Sequence, residues 1–131
     1  MKSKIVIQSN VKELNTIYQW LETLLEEAKV DKNLSQTILL ITQEIATNAI
    51  LHGNKEITNK NVTVQAHIRL KEIVIDISDE GDGIQTLPTK KEATELNYLE
   101  EGGRGLKLAV LMSDDIELYQ NKIRLIFNRY F

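Results

Sequence analysis

Apolar residues recur at helical spacing in the first part of this chain and at a spacing of two from Val62 onward, and that change of period limits the folds open to it. Val11, Leu14, Ile17, Tyr18, Leu21, Leu24, Leu25 and Ala28 form one helical stripe. Asn10 ahead of it has N-cap chemistry, and Glu13 completes a capping-box-like pair. A second helix is predicted from about Leu34 to His52 on Ile38, Leu39, Ile41, Ile45, Ala49 and Ile50, stopped by Gly53-Asn54. Val62, Val64, Ala66, Ile68 and Leu70 then alternate with polar residues, and Ile73, Ile75 and Ile77 repeat the pattern after Lys71-Glu72, so a hairpin is expected.

A short strand, Lys4 to Gln8, precedes the first helix. Arg104 to Met112 is expected as a helix opened by glycines, followed by strands at Asp114 to Tyr119 and around Ile123, Leu125 and Phe127. Between Ile84 and Glu101 no period holds; this stretch contains the only proline, Pro88, and room for at most a short helix within Glu92 to Leu99. A connection of that length in a compact domain usually has a function, so residues 84–101 are expected to be a mobile lid over a site. The order β-α-α-β-β-lid-α-β-β predicts an α+β fold: a two-layer α/β sandwich with a mixed, mostly antiparallel sheet and helices on one face.

With 131 residues, 42% hydrophobic and 27% charged, one globular domain over residues 1–131 is expected. Apolar runs such as Ile38-Leu39-Leu40-Ile41 are far too short for a membrane span, and the first residues do not lead into a secretory signal, which points to the cytoplasm. The absence of cysteine excludes disulfides and thiolate metal sites, and two histidines cannot make a His-rich one, so any metal must be hard and oxygen-bound. A net charge of −3 with dispersed Lys and Arg argues against direct binding of nucleic acid.

Three motifs carry chemistry. Glu44, Asn48 and His52 are spaced by four and share one helix face. A carboxylate and a carboxamide one turn apart can hold a magnesium ion through the Asn oxygen and leave the Glu free to accept a proton. Asp79-Glu80-Gly81-Asp82-Gly83 leaves a strand with a fixed acceptor and two glycines that let backbone approach a ligand. It is neither a calcium loop, which would need Glu where Leu87 stands, nor a dinucleotide fingerprint, which would need Gly at Thr86. Gly102-Gly103-Arg104-Gly105 ahead of Leu106 feeds a helix N-terminus, where unpaired N–H groups favour phosphate. Taken singly, each has an ordinary structural explanation: a solvated helix edge, an acidic turn, a glycine hinge.

Their order and spacing together resemble the nucleotide site of the histidine-kinase-like ATPases, whose Bergerat fold is an α/β sandwich. The stretch Ile41 to Gly53, the chain length and the paired N-terminal helices look most like the anti-sigma-factor serine/threonine kinases. The resemblance implies ATP and Mg2+ as cofactors, with Glu44 as general base and Asn48 as magnesium ligand. It implies that Asp79 accepts from the adenine amino group, that Gly81 and Gly83 shape the base pocket, and that Gly103, Arg104, Gly105 and Leu106 border the phosphates. The implied partners are a small antagonist-like protein carrying the acceptor serine and a sigma factor. Related kinases are often dimers, and the first strand and the exposed sheet face are the surfaces a homodimer could use.

Two features depart from the family pattern. Asn121-Lys122-Ile123-Arg124 stands where members commonly carry Gly-Thr before the last strand, and the segment after Gly83 lacks a Phe-Asp-Pro-like start. The competing expectation is therefore a nucleotide-switched protein-binding module of the same fold with little or no kinase activity.

Overall fold

The computed structural model describes residues 1–55, 57–81, 87–95 and 104–129. The strands are β1 (Lys2–Gln8), β2 (Asn61–Ile68), β3 (Glu72–Ser78), β4 (Asp115–Tyr119) and β5 (Lys122–Asn128). The helices are α1 (Leu14–Glu27), α2 (Lys32–Asn48), α3 (Lys90–Thr94) and α4 (Arg104–Met112). The sheet order is β1-β2-β3-β5-β4, and all four pairings are antiparallel, so the described sheet is antiparallel throughout rather than mixed.

Strand alternation becomes two rows of side chains. Ile5, Val64, Ile77, Ile123 and Leu118 stand opposite one another across the sheet and face the helices. The next row, Lys4, Gln65, Asp76, Arg124 and Glu117, lies on the other face, which the helices leave open. There Arg124 grips Asp76 with two hydrogen bonds, 2.8 and 3.1 Å long. A partly exposed pair of this kind is worth at most about 1 kcal/mol. Each buried Ile, Leu or Phe contributes about 1.5–3 kcal/mol. The fold therefore rests on the apolar face, where Phe127, Ile75 and Leu125 pack against Ile17, Leu21 and Leu25 of α1 and Ile38, Ile41 and Ile45 of α2.

Several boundaries differ from the sequence-based expectation for local physical reasons. Asn10 does cap a chain turn, accepting from the Lys12 amide at 2.9 Å, but the turn is a short 3-10 segment, Val11–Glu13. Glu13 does not return the bond; its carboxylate accepts from the Thr16 hydroxyl instead. Val11 and Tyr18 consequently fall off the buried stripe and are exposed. Asp31 caps α2 by accepting from the Asn33 and Leu34 amides at 3.1 and 3.2 Å, so the helix starts at Lys32. Its far end widens into a π-type turn, Ala49–Gly53, in which the Asn54 amide reaches back five residues to the Ala49 carbonyl at 2.8 Å.

The described part of the lid stretch is also more regular than expected. Thr89 and Glu92 exchange bonds of 3.0 and 3.1 Å as a reciprocal capping box, so α3 begins at Lys90 rather than Glu92. Ala93 is buried, and α3 packs on α4. Residues 84–86 and 96–101 of the expected lid lie outside the described residues. Among the described residues no helix is long and apolar enough to cross a membrane.

Candidate functional site

Glu44 and Asn48 sit one turn apart on the half-buried edge of α2, between the buried positions Ile41, Thr42, Ile45 and Ala46. The first turn of α4 meets this edge. Gly105 is buried there because it has no side chain: a Cβ would stand 3.0 Å from Glu44 Oε2, 3.1 Å from Glu44 Cβ and 3.4 Å from Asn48 Nδ2. The carboxylate, the carboxamide and a glycine at the start of a helix are thus brought together from separate parts of the sequence. Arg104 is exposed at the head of α4 and Leu106 is half-buried behind it. Amides in the first turn of a helix have no partner within the helix, and the helix dipole adds positive potential, so this end suits an anion. His52 lies within the π-type turn, which changes the angular step after Asn48, and its side chain is exposed.

Asp79 occupies the adjoining region. Three successive backbone amides are committed around it: Asp79 N–H donates to the Asn121 carbonyl at 2.9 Å, Glu80 N–H to Asn54 Oδ1 at 2.8 Å, and Gly81 N–H to Asp79 Oδ1 at 2.8 Å. The carboxylate lies directly on the Cα of Gly53, where an added Cβ would stand 2.6 Å from Asp79 Cγ. Gly81 is pressed onto the Gly53 carbonyl so closely that its own Cβ would overlap that oxygen. The Asp79 turn and the end of the α2 extension therefore approach backbone to backbone, which only glycine permits at these two positions.

A pocket opens between α2 and the sheet at this place. Ile45 and Ala49 form the helix wall, Ile77 and Ile123 the sheet wall, and Asp79, Asn121 and Lys122 the rim, with Leu118 beside them. Ile45 and Ala49 directly follow Glu44 and Asn48 in sequence, so the pocket and the Gly105 contact share one helix. The space between these walls is about 10 Å³, room for one water, so the walls must part before a flat heteroaromatic ring enters; the apolar lining with a carboxylate at its rim has the chemistry to receive one that bears an amino group.

The donor set also bears on metal chemistry. Glu44 and Asn48 offer a carboxylate and a carboxamide oxygen one turn apart, and among the described residues no third His, Asp or Glu joins such a pair to form a cage. That composition fits magnesium, which keeps several waters and is held by one or two protein oxygens together with phosphate. In the lid, hydrogen bonding to the Thr89 backbone and side chain holds the Glu92 carboxyl below its ordinary range. On the open sheet face, burial and the cations Arg69 and Lys2 push His67 down, while the hydrogen bond to Glu117 pushes Tyr119 up.

Of the residues singled out from sequence, Glu44, Asn48 and Gly105 meet at α2 and α4, and Asp79 and Gly81 meet at the α2 extension. Gly83 and Gly103 lie outside the described residues. Three residues of the site escaped the sequence reading: Gly53 and Asn54, which serve there as a helix stop, and Asn121. Their partners are remote in sequence, so only the fold reveals them.

Comparison with known proteins gives the family. Residues 7–127 match the family described as the histidine kinase-like ATPase domain. The chain is 32% identical over 99 residues to an anti-sigma F factor of Clostridium perfringens, covering 72% of this chain and 71% of that protein. It is 28% identical over 123 residues to an anti-sigma F factor of Heyndrickxia coagulans, covering 90% and 84%. It is also 31% identical over 88 residues to the serine-protein kinase RsbW of Staphylococcus aureus, covering 62% and 55%. The match across almost the whole chain places this protein in the histidine kinase-like ATPase family, with relatives named anti-sigma F factor and serine-protein kinase.

Proposed function

We propose that this protein is an ATP- and Mg2+-dependent serine/threonine kinase of the anti-sigma-factor type, which phosphorylates a small antagonist-like protein in the cytoplasm and binds a sigma factor. The observation that supports it most is the contact of Gly105 with both Glu44 and Asn48. That contact sets a proton acceptor and an amide ligand at a helix N-terminus suited to phosphate. Phosphoryl transfer needs no covalent nucleophile on the enzyme; it needs donors around the transferred group and a positioned base.

In this reading Asp79 accepts from the adenine amino group, and Gly81 with Gly83 lets the backbone close on the base. Gly103, Arg104, Gly105 and Leu106 border the phosphates, Arg104 supplying a forked donor. Asn48 would hold magnesium, which would supply charge to neutralise the triphosphate. Glu44 takes the proton from the hydroxyl of the acceptor serine.

Calorimetry with ATP and magnesium tests the site. Removing the charged acceptor in Asp79→Asn should weaken ATP binding about 10- to 100-fold; unchanged affinity overturns the nucleotide assignment. Transfer of labelled phosphate to an antagonist-like protein encoded beside this chain should vanish in Glu44→Ala while ATP still binds. Asn121-Lys122 at the pocket rim supports the second reading, a nucleotide-switched binding module. Wild-type protein that binds ATP and a partner but labels none would decide for it.

A further inference from the structure

Asn54 is a fully buried polar residue whose side chain is completely used. Its Nδ2 donates to Ser9 Oγ at 2.7 Å and to the Asn61 carbonyl at 2.9 Å, and its Oδ1 accepts from Glu80 N–H at 2.8 Å. Ser9 Oγ in turn donates to the Lys60 carbonyl at 2.8 Å. The Asn54 backbone is also held, since its amide bonds to the Ala49 carbonyl and its own carbonyl accepts from Ile57. With two acceptors on one side of the carboxamide and a donor on the other, the amide group has one orientation only.

The bond to Glu80 N–H is the one that reaches the site. It fixes the peptide group that directly follows Asp79, while Gly53, the residue before Asn54, supports the Asp79 carboxylate and the Gly81 backbone. The two halves of the Asn54 carboxamide thus perform separable tasks: the amino group ties together the end of β1 and the start of β2, and the oxygen holds the turn that carries Asp79.

From this juxtaposition we infer that Asn54 is a positioning residue for base selection: it acts through Asp79 and sets how strongly the site prefers a purine bearing an exocyclic amino group. The inference rests on the nucleotide reading of the pocket. A carboxylate discriminates between an amino donor and a carbonyl acceptor only if its direction is fixed, because a mobile turn would let it rotate away from the unfavourable contact. A buried, fully bonded carboxamide supplies that fixity without touching the nucleotide.

The test compares ATP with inosine triphosphate, which presents a carbonyl in place of the amino group, by calorimetry on wild type, Asn54→Ala and Ser9→Ala. Wild type should prefer ATP, and Asn54→Ala should lower that preference about tenfold or more, the worth of a hydrogen bond to a charged group. Affinity for inosine triphosphate should stay near the wild-type value. Ser9→Ala breaks only the strand-side bonds; it should lower the unfolding midpoint and leave the preference intact. An unaltered preference in folded Asn54→Ala overturns the inference. So does Ser9→Ala lowering the preference as much as Asn54→Ala, because the effect would then be general loosening.

If Asn54→Ala does not fold, hydrogen exchange on the wild type decides: the Glu80 amide should exchange far more slowly than an open turn, and exchange at the open-turn rate overturns the inference. A wild type that binds neither triphosphate refutes the nucleotide reading itself, which is a different result from a preference that survives the loss of Asn54.

Discussion

The two ends of the candidate site are built differently. At the Asp79 end, three consecutive amides have fixed acceptors, Gly81 rests on the Gly53 carbonyl, and a buried carboxamide ties the turn to two strands. At the Gly105 end, the contacts described are between a helix and the side chains of Glu44 and Asn48, and the neighbouring helix α3 has five residues held by one capping box. At the first end Gly81 meets the Gly53 backbone itself; at the other Gly105 meets side chains, two of whose contacting atoms are the rotatable ends of Glu44 and Asn48. An ATPase that must hold a base and let phosphate leave gains from that division, since rigidity serves selection and adjustable contacts serve turnover.

Two alanine substitutions should break the comparison if it is mistaken. Gly81→Ala places a Cβ on the Gly53 carbonyl, and neither backbone can move without disturbing the Asn54 and Asn121 bonds. It should cost about 3 kcal/mol in denaturant unfolding. ATP affinity should fall with it. Gly105→Ala meets Glu44 Oε2 at 3.0 Å and Asn48 Nδ2 at 3.4 Å, which can rotate away, and Glu44 Cβ at 3.1 Å, from which the helices must separate by a few tenths of an ångström. Alanine is worth up to about 1 kcal/mol over glycine inside a helix, so stability should change by less than about 1 kcal/mol in either direction. Phosphate transfer should fall about 100-fold, the penalty for misplacing a reacting group by roughly an ångström. Equal stability losses in the two variants would remove the distinction between the ends.

That asymmetry also explains how much was legible in the sequence. Glu44 and Asn48 were readable because a spacing of four sets two side chains on one helix face whatever the helix packs against. Val62 to Ile77 and Ile123 to Phe127 were readable because alternation fixes which face of a strand is buried. The start of α3 was misplaced at Glu92 because the hydrophobic period there is irregular, although Thr89 and Glu92 have the spacing of a capping box. Gly53 and Asn54 were not legible as site residues. A glycine and an asparagine after a helix look like an ordinary stop, and the π-type turn that aims them at Asp79 has no local signature. Their roles depend on contacts with Ser9, Asn61 and the residues after β3, which only the assembled sheet brings near. Exposure of Val11 and Tyr18 has the same origin: the 3-10 turn before α1 and the angular position beside Ile17 decide it, not the residue type.

Helix α3 sharpens the comparison with smaller effects. Thr89→Ala removes the side-chain acceptor for the Glu92 amide, and loss of such a cap costs about 1 kcal/mol of helix stability. Because α3 has five residues and buries Ala93 alone, the cost should stay local. Amide exchange over residues 90–94 should accelerate, and the unfolding midpoint of the sheet should hardly move. A global loss of stability would mean that α3 is as firmly integrated as the Asp79 turn, contrary to the contrast drawn between the two ends.

The smallest effect is set by pH. Hydrogen bonds from Thr89 lower the Glu92 pKa, and the backbone bond is the larger cause. A carboxyl whose folded pKa lies below its unfolded one contributes stability that is present above the unfolded value and lost as pH falls through the folded value. The Thr89 amide, which donates to Glu92 Oε1 at 3.0 Å, should therefore shift in NMR spectra as acid is added, with a midpoint below the ordinary glutamate range. Glu92→Gln should flatten that titration. Thr89→Ala should leave part of the depression in place, because the backbone donor survives the change. A midpoint at the ordinary glutamate value in the wild type would show that the reciprocal cap is not formed in solution, and the Gly105 end would then have even less holding its lid than the structure gives it.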